Sequence, residues 1–278
     1  MAIFLGLVTA ICFGSGDFFG ALSTKKTSVL NVVAFSHFVG LITVVVIAPF
    51  IADAFTWTAI GLGAVAGIMG GFGVIGLYRG LATGPMAVVA PLTAIASAAV
   101  PAIWGSLSGD SLSGLAWLGI LIALVAIGLS SLPNNVSAAG VTINTIVESL
   151  AAGVGFGAMF ILFDLTADDV APWPVVGARF ATSTALLFFV LAVRRVDLND
   201  VRPAMGLIVL TGLFDTGSNV IFLIATTVGD LSVVAVLSSL YPVSTVILAR
   251  FVLDERMSRL QLTGLALALI ATGLIALG

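Results

Sequence analysis

The stretch GIMGGFGVIGLYRG, residues Gly67 to Gly80, decides between two different folds. Three of its glycines form the pattern GxGxxG of a dinucleotide-binding turn: Gly71, Gly73 and Gly76. That turn requires a strand before the pattern and a helix after it. Here the pattern lies inside an unbroken apolar segment that also carries glycines four residues apart, Gly63 and Gly67. This spacing lets two membrane helices approach closely, so the stretch favours a close-packed membrane helix and we predict no nucleotide cofactor.

The composition is that of a membrane protein. Of the 278 residues, 60% are hydrophobic and 8% are charged, whereas soluble domains are about 45–50% apolar and about 25% charged. The net charge of −3 and the lack of a basic tract argue against a nucleic-acid partner. The single cysteine, Cys12, excludes a disulfide framework and a CxxC metal site. The N-terminus has no basic segment before its apolar run, so we expect it to be retained as the first span.

Ten segments of the chain are long and apolar enough to cross a bilayer as helices, which requires roughly 20 mostly apolar residues. They lie at residues 2–22, 30–51, 57–79, 86–106, 112–131, 143–163, 172–193, 203–225, 231–250 and 259–277. The sequence therefore predicts an all-α integral membrane protein with ten transmembrane helices.

The two halves of the chain resemble each other. The segment LATGPMAVVAPLTAI aligns without a gap on TTVGDLSVVAVLSSL, so that Gly84 corresponds to Gly229, and further on Gly119 corresponds to Gly264. Each half holds five predicted helices. Because five is odd, the second half must enter the membrane from the opposite side. Inverted repeats of this kind are a common construction of transporters, with the substrate site near the membrane midplane between the halves.

The polar joint LPNNVSAAG marks the boundary between the halves. We predict two inverted five-helix repeats around a central cavity, at residues 1–132 and 143–278, with a connecting loop at 133–142. Nine of the ten Lys and Arg residues lie in the odd-numbered loops, and basic loops stay in the cytoplasm. We therefore expect a multi-pass protein of the cytoplasmic membrane with its odd-numbered loops in the cytoplasm and both termini outside.

Several polar side chains lie inside the predicted spans. An ionisable group in the hydrocarbon region costs about 2.5–3.5 kcal/mol on insertion scales and usually faces a cavity or a partner. The candidates for substrate binding or coupling are Asp17, His37, Glu148, Arg179, Asp215 and Asn219. Asp215 lies near the middle of its span, so we expect Asp215 and Asp17 to line a transport cavity, where one of them could exchange a proton for substrate. In the alternative interpretation, Glu148 and Arg179 snorkel to the membrane surface, Asp17 makes a structural hydrogen bond and His37 only packs.

Aromatic residues and prolines add further candidates. Phenylalanines close to the polar or glycine-rich stretches could form an apolar cavity lining: Phe13, Phe18, Phe72, Phe156 and Phe214. Since the chain has 18 Phe, a lipid-facing or core position is the alternative for each of them. Pro91 and Pro242 lie in the equivalent fourth and ninth spans, where proline frees a backbone carbonyl and bends a helix. We predict bends near the cavity at both, with an ordinary kink as the alternative.

The chain resembles the EamA family of the drug/metabolite transporter superfamily. The resemblance is carried by GLYRGLATGPMAVVAPL, by LDERMSRLQLTGLALALIATGL and by the early FGSGDFF, and it extends over the whole chain. It implies a basket of helices around one central cavity that works by alternating access. Members of the family export or import amino acids, other metabolites and drugs, so the resemblance does not choose the substrate.

The function predicted from these observations is secondary transport of a small organic metabolite or drug, amino-acid-like or cationic, with protons as a candidate coupling ion. An uncoupled facilitator or a channel is the alternative. An intramembrane enzyme or a structural membrane protein is less favoured, since there is no HExxH motif and His37 has no obvious nucleophile partner. We expect no cofactor, no metal and no nucleic acid. The expected partners are a small-molecule solute and the lipid bilayer, with the protein a monomer or a homodimer.

Overall fold

The computed structural model describes residues 1–83, 86–130, 142–166, 168–193, 198–254 and 257–277. Over these ranges the chain consists of α-helices, two single-turn 3-10 segments and short loops, with no β-strand. The helices are α1 (Ala2–Thr24), α2 (Val29–Ile51), α3 (Trp57–Thr83), α4 (Met86–Ser108), α5 (Gly114–Ser130), α6 (Ile143–Asp164), α7 (Trp173–Val193), α8 (Leu198–Val201), α9 (Met205–Thr226), α10 (Leu231–Ser238), α11 (Tyr241–Val252) and α12 (Arg259–Leu277).

Several of these helical segments are long and apolar enough to cross a bilayer. Within the described ranges there are seven, namely Ala2–Thr24, Val29–Ile51, Trp57–Leu77, Ile143–Asp164, Asn199–Thr226, Leu231–Val252 and Arg259–Leu277. Leu92–Ser108 and Gly114–Ser130 are shorter apolar helices. An all-helical, multi-pass membrane protein is therefore confirmed, while the count of ten spans arranged as inverted repeats stays a prediction.

Helix α3 packs closely on two neighbours because its glycines have no side chain. A Cβ atom on Gly67 would lie 2.5 Å from the carbonyl oxygen of Ala178 in α7. A Cβ atom on Gly73 would lie 3.0 Å from the carbonyl oxygen of Ala152 in α6. The GxGxxG pattern thus lies in the middle of one continuous helix, and the close-packing interpretation of this stretch is confirmed.

Helices of the first half of the chain pack mainly on helices of the second half. Helix α1 contacts α9, α10 and α11, helix α3 contacts α6 and α7, and α5 contacts α12. The predicted polar residues of both halves lie on these contacting helices. Polar side chains from the two halves can therefore contact one another at this interface.

The predicted ninth span is interrupted. Helix α10 ends at Ser238 and α11 begins at Tyr241, with Pro242 in the first turn of the new helix. A proline is well tolerated there because the N–H group of that position has no partner inside the helix. The bend predicted at Pro242 is thus a break in the helix just before it. Pro91 lies in α4, and its side chain is outside the described residues.

Candidate functional site

A cavity of about 770 Å³ lies between the two halves of the chain. Its walls come from α1, α2, α3 and α4 of the first half and from α6, α7 and α9 of the second half. At one end it is lined by Thr24, the last residue of α1, and by Val29, the first residue of α2. It also reaches Tyr241 at the break between α10 and α11. Its volume is within the range of about 300–1,000 Å³ that is usual for small-molecule sites.

An ion pair between α7 and α9 forms the charged centre of the cavity wall. Arg179 Nη2 lies 2.7 Å from Asp215 Oδ2 and also donates to the backbone carbonyl oxygen of Asp215 at 3.2 Å. Arg179 is buried, with 6% of its surface exposed, whereas 30% of the Asp215 side chain is exposed. Asp215 therefore neutralises a buried guanidinium while one side of its carboxylate faces the cavity.

Hydrogen bonds around Asp215 hold this part of α9. Its carbonyl oxygen accepts from Ser218 Oγ and from Asn219 Nδ2, both at 2.7 Å. The same carbonyl oxygen also accepts a hydrogen bond from Arg179. Arg179 is therefore held by the backbone carbonyl of Asp215 as well as by its carboxylate. Asn219 Oδ1 and Arg179 Nε are buried, and neither has a hydrogen-bond partner in the described part of the chain.

His37 of α2 lies on the other side of Asp215. Its Nε2 atom is 3.8 Å from Asp215 Oδ2, and its Nδ1 atom is 3.0 Å from Thr182 Oγ1. Thr182 donates its own hydroxyl proton to the carbonyl oxygen of Ala178 at 2.9 Å. We therefore assign the Nδ1 atom of His37 as the donor to Thr182.

Asp17 of α1 is the second carboxylate of the cavity, and more than a third of its surface is exposed. In the described ranges, no ion pair or hydrogen bond reaches its side chain. Phe13 lies one helical turn before Asp17 on the same helix and also lines the cavity. Asp17 therefore presents to the cavity a carboxyl group that has no ion-pair or hydrogen-bond partner in the described part of the chain.

The structure brings together most of the predicted polar residues. The cavity lining includes Asp17, His37, Arg179, Asp215 and Asn219. Glu148 is not among the lining residues. It belongs to the first half of α6, where its backbone carbonyl lies beside Gly76 of α3.

The predicted aromatic lining divides into two groups. Phe13 and Phe156 line the cavity, whereas the other three do not. Phe18 is buried and packs edge to face with Phe19, and Phe214 stacks on Phe19 with the ring centroids 5.7 Å apart. Phe72 is 63% exposed on the outer surface of α3, because its neighbours Gly71 and Gly73 belong to the side of the helix that packs.

Sequence reasoning missed three aromatic lining residues. Phe160 and Phe163 line the cavity from α6, and Tyr241 lines it from the start of α11. A signal was present for Phe160, which lies one turn after Phe156 and so shares its helix face. For Tyr241, the helix break beside Pro242 was the available signal.

A second polar contact between the halves lies away from the cavity, between the loop before α5 and the start of α10. Asp110, in the loop before α5, accepts a hydrogen bond at 2.9 Å from the backbone N–H of Ser232 in the first turn of α10. The Ser232 hydroxyl donates to the carbonyl oxygen of Ala102 in α4 at 2.8 Å. Burial, and then the neighbouring Asp110 carboxylate, raise the pKa of Asp230, which immediately precedes α10.

No metal site is evident in the described ranges, where no three His, Cys, Asp or Glu side chains are grouped to hold an ion. The polar groups of the cavity are instead two carboxylates, one guanidinium, one imidazole and one amide. Together with an apolar wall, these groups can bind an organic solute through charge and hydrogen bonds.

A membrane protein built of long apolar helices around a polar cavity has the architecture of a membrane transporter. Residues 145–277 match the EamA-like transporter family. This match confirms the resemblance to the EamA family over the second half of the chain.

Two further comparisons concern the curated proteins and the solved structures. No curated protein matches the chain. One solved structure, described only as "Crystal structure of protein", is 17% identical and superposes with a TM-score of 0.75. The match covers 99% of this chain and 96% of the other, so the two proteins share a fold over their whole length.

Proposed function

We propose that the protein is a secondary transporter that carries a small organic solute through the central cavity by alternating access. The observation that carries this proposal is the cavity itself, which lies between the halves of the chain and holds both Asp17 and Asp215. Carriers built from inverted repeats have their site at this position and work by rocking one half against the other. The match of residues 145–277 to a transporter family supports the same conclusion.

The proposed carrier has ten membrane helices in two inverted repeats, with the odd-numbered loops in the cytoplasm. The interleaved packing of α1 on α9 and of α3 on α6 and α7 is in keeping with such repeats. In this orientation the end of the cavity near Thr24 and Val29 faces the cytoplasm. The even-numbered loops, where Asp110 binds the start of α10, face the outside. The structure would then correspond to an inward-facing state.

The two carboxylates have different proposed roles. Asp215 keeps Arg179 neutralised and shapes the wall, because their ion pair is short and mostly buried. Asp17 has an exposed side chain and, within the described ranges, no ion pair with a lysine or arginine, so it is the candidate that exchanges a proton for substrate. Arg179 Nε and Asn219 Oδ1 are buried without a hydrogen-bond partner among the described residues. An unpaired buried polar group costs about 1–3 kcal/mol, so a second state of the carrier that gives these atoms partners would be favoured, and we propose that the network rearranges at this point.

Flux through the purified protein in proteoliposomes tests the proposal. A panel of amino acids, polyamines and lipophilic cations would be measured with and without a pH gradient, for the native chain, Asp215→Asn and Asp53→Asn. Asp53 is an exposed loop carboxylate and serves as the matched control. We expect at least one solute to move, Asp215→Asn to slow it about tenfold or more, and Asp53→Asn to transport as the native chain does.

Other outcomes separate the alternatives. If no solute moves faster than through empty liposomes, the proposed function is wrong. If flux follows the solute gradient at every pH, the protein is an uncoupled facilitator or a channel. If Asp215→Asn transports like the native chain, the Arg179–Asp215 ion pair is not needed for transport and its proposed role in shaping the wall is wrong.

A further inference from the structure

Two residues of α1 place an aromatic ring beside a free carboxylate in the cavity. Phe13 and Asp17 are four residues apart, so they share one face of the helix, and both line the cavity. Gly14, between them, packs against the start of α11, where a Cβ atom would lie 2.6 Å from the carbonyl oxygen of Tyr241. This close approach brings the start of α11 against the same part of α1.

Three aromatic rings meet at this place, each from a different helix. The Phe13 ring centroid lies 6.0 Å from that of Phe160 in α6, with a tilted arrangement. It lies 6.4 Å from that of Tyr241 in α11, edge to face. Phe160 in turn stacks at 4.3 Å on Phe222, which is fully buried and holds the Phe160 ring from behind. The three rings are therefore fixed in position by their own packing.

We propose that Asp17 and the rings of Phe13, Phe160 and Tyr241 form an ammonium-binding subsite. Aromatic faces attract organic cations, most strongly where water is excluded, and a neighbouring carboxylate supplies the opposite charge. The wall of the cavity is mostly apolar, so the ligand is an amine with an apolar body. The inference rests on the proposed function, because it assigns the substrate class of the same cavity.

The subsite selects an amine over the amino acid of the same skeleton. A substrate carboxylate would need a cation in the wall, and the buried cation of this cavity, Arg179, already binds Asp215 at 2.7 Å. A carboxylate that enters the cavity would also face Asp17 and Asp215, which repel it. The amino acid should therefore bind at least about tenfold more weakly than the amine, which corresponds to about 1.4 kcal/mol.

Direct binding to the purified full-length protein in detergent tests this inference without any need for transport. The probes are phenethylamine, its trimethylammonium derivative, 2-phenylethanol and phenylalanine, measured by calorimetry. We expect the two cations to bind, and the alcohol and the amino acid to bind at least about tenfold more weakly. Equal affinity for phenethylamine and 2-phenylethanol, or no binding of either cation, would overturn the subsite.

Variants locate the binding on these residues. Asp17→Asn should weaken both cations about tenfold or more and leave the alcohol unchanged, whereas the loop control Asp53→Asn should alter none of the four probes. Tyr241→Phe keeps the ring and should retain the trimethylammonium probe, and Tyr241→Leu should lose it. Each variant must elute as a single species from size exclusion. Retained binding in well-behaved Asp17→Asn refutes the proposal.

Failure of this inference can be told from failure of the proposed function. If the protein transports a neutral solute and Asp17→Asn transports it equally, the carrier stands and the ammonium subsite is wrong. If the protein binds phenethylamine through Asp17 but moves no solute in proteoliposomes, the subsite stands and the carrier is wrong.

Discussion

Replacement of Asp215 by asparagine should destabilise the protein, because it leaves the buried guanidinium group of Arg179 without its anion. Arg179 is 6% exposed, and its anion is Asp215 Oδ2 at 2.7 Å. Removal of one partner of a fully buried ion pair costs about 3–5 kcal/mol. Because 30% of the Asp215 side chain is exposed, and because Arg179 keeps its bond to the backbone carbonyl at 3.2 Å, we discount this to about 2 kcal/mol.

Two further variants, Arg179→Gln and the double variant, distinguish the loss of the ion pair from a nonspecific loss of stability. Arg179→Gln leaves the carboxylate of Asp215 exposed to the cavity and should cost less than Asp215→Asn. The double variant removes both charges and should be more stable than the sum of the single effects predicts, by about 1 kcal/mol or more. The free energy of unfolding would be measured by reversible unfolding in mixed micelles. Strictly additive losses, or an Asp215→Asn variant as stable as the native chain, would refute the reasoning.

Three further predictions concern the packing of α3 and the segments before α5 and α10. Gly67→Leu should disrupt the contact between α3 and α7 and lower the yield of folded protein. Gly61 has open space around it, so the control Gly61→Leu should leave the yield unchanged. Equal yields of the two variants would contradict this prediction. Asp110→Ala should cost about 1 kcal/mol of unfolding free energy, because it removes the acceptor for Ser232 N–H. Because folding raises the pKa of Asp230, the protonated form of this carboxyl group favours the folded state. That contribution to stability is complete below the unfolded pKa of 3.8 and is lost as the pH rises above it. Asp230→Asn should therefore flatten the decline of the melting temperature above that pH, and an unchanged pH profile would count against it.

The membrane class of the protein and the polar composition of its cavity could be predicted from the sequence. The cost of a charge in hydrocarbon implies that Asp17, His37, Arg179 and Asp215 avoid lipid, and the structure places all four on one cavity. Their pairing could not be predicted, because it depends on how each helix is rotated about its axis. Helices that are apolar on nearly every side carry little information about that rotation.

The same lack of a polar face explains why the sequence could not decide which phenylalanines line the cavity. Phe72 lies beside glycines, and the sequence offered two opposite readings, cavity lining or lipid contact. The structure shows that the small faces of α3 are used against α6 and α7, so that Phe72 is left on the outer surface. Phe18 and Phe214 likewise pack around Phe19 rather than on the cavity. Long-range packing between helices decides these positions.

The most direct test of the central claim is a counterflow measurement. Proteoliposomes loaded with a high concentration of an unlabelled solute that the protein transports would be diluted into a trace of the labelled compound. A carrier with one cavity that alternates between the two sides should accumulate the label transiently above its outside concentration, and Asp17→Asn should reduce the effect for an amine. Label that only equilibrates would indicate a channel, and uptake no faster than in empty liposomes would contradict transport altogether.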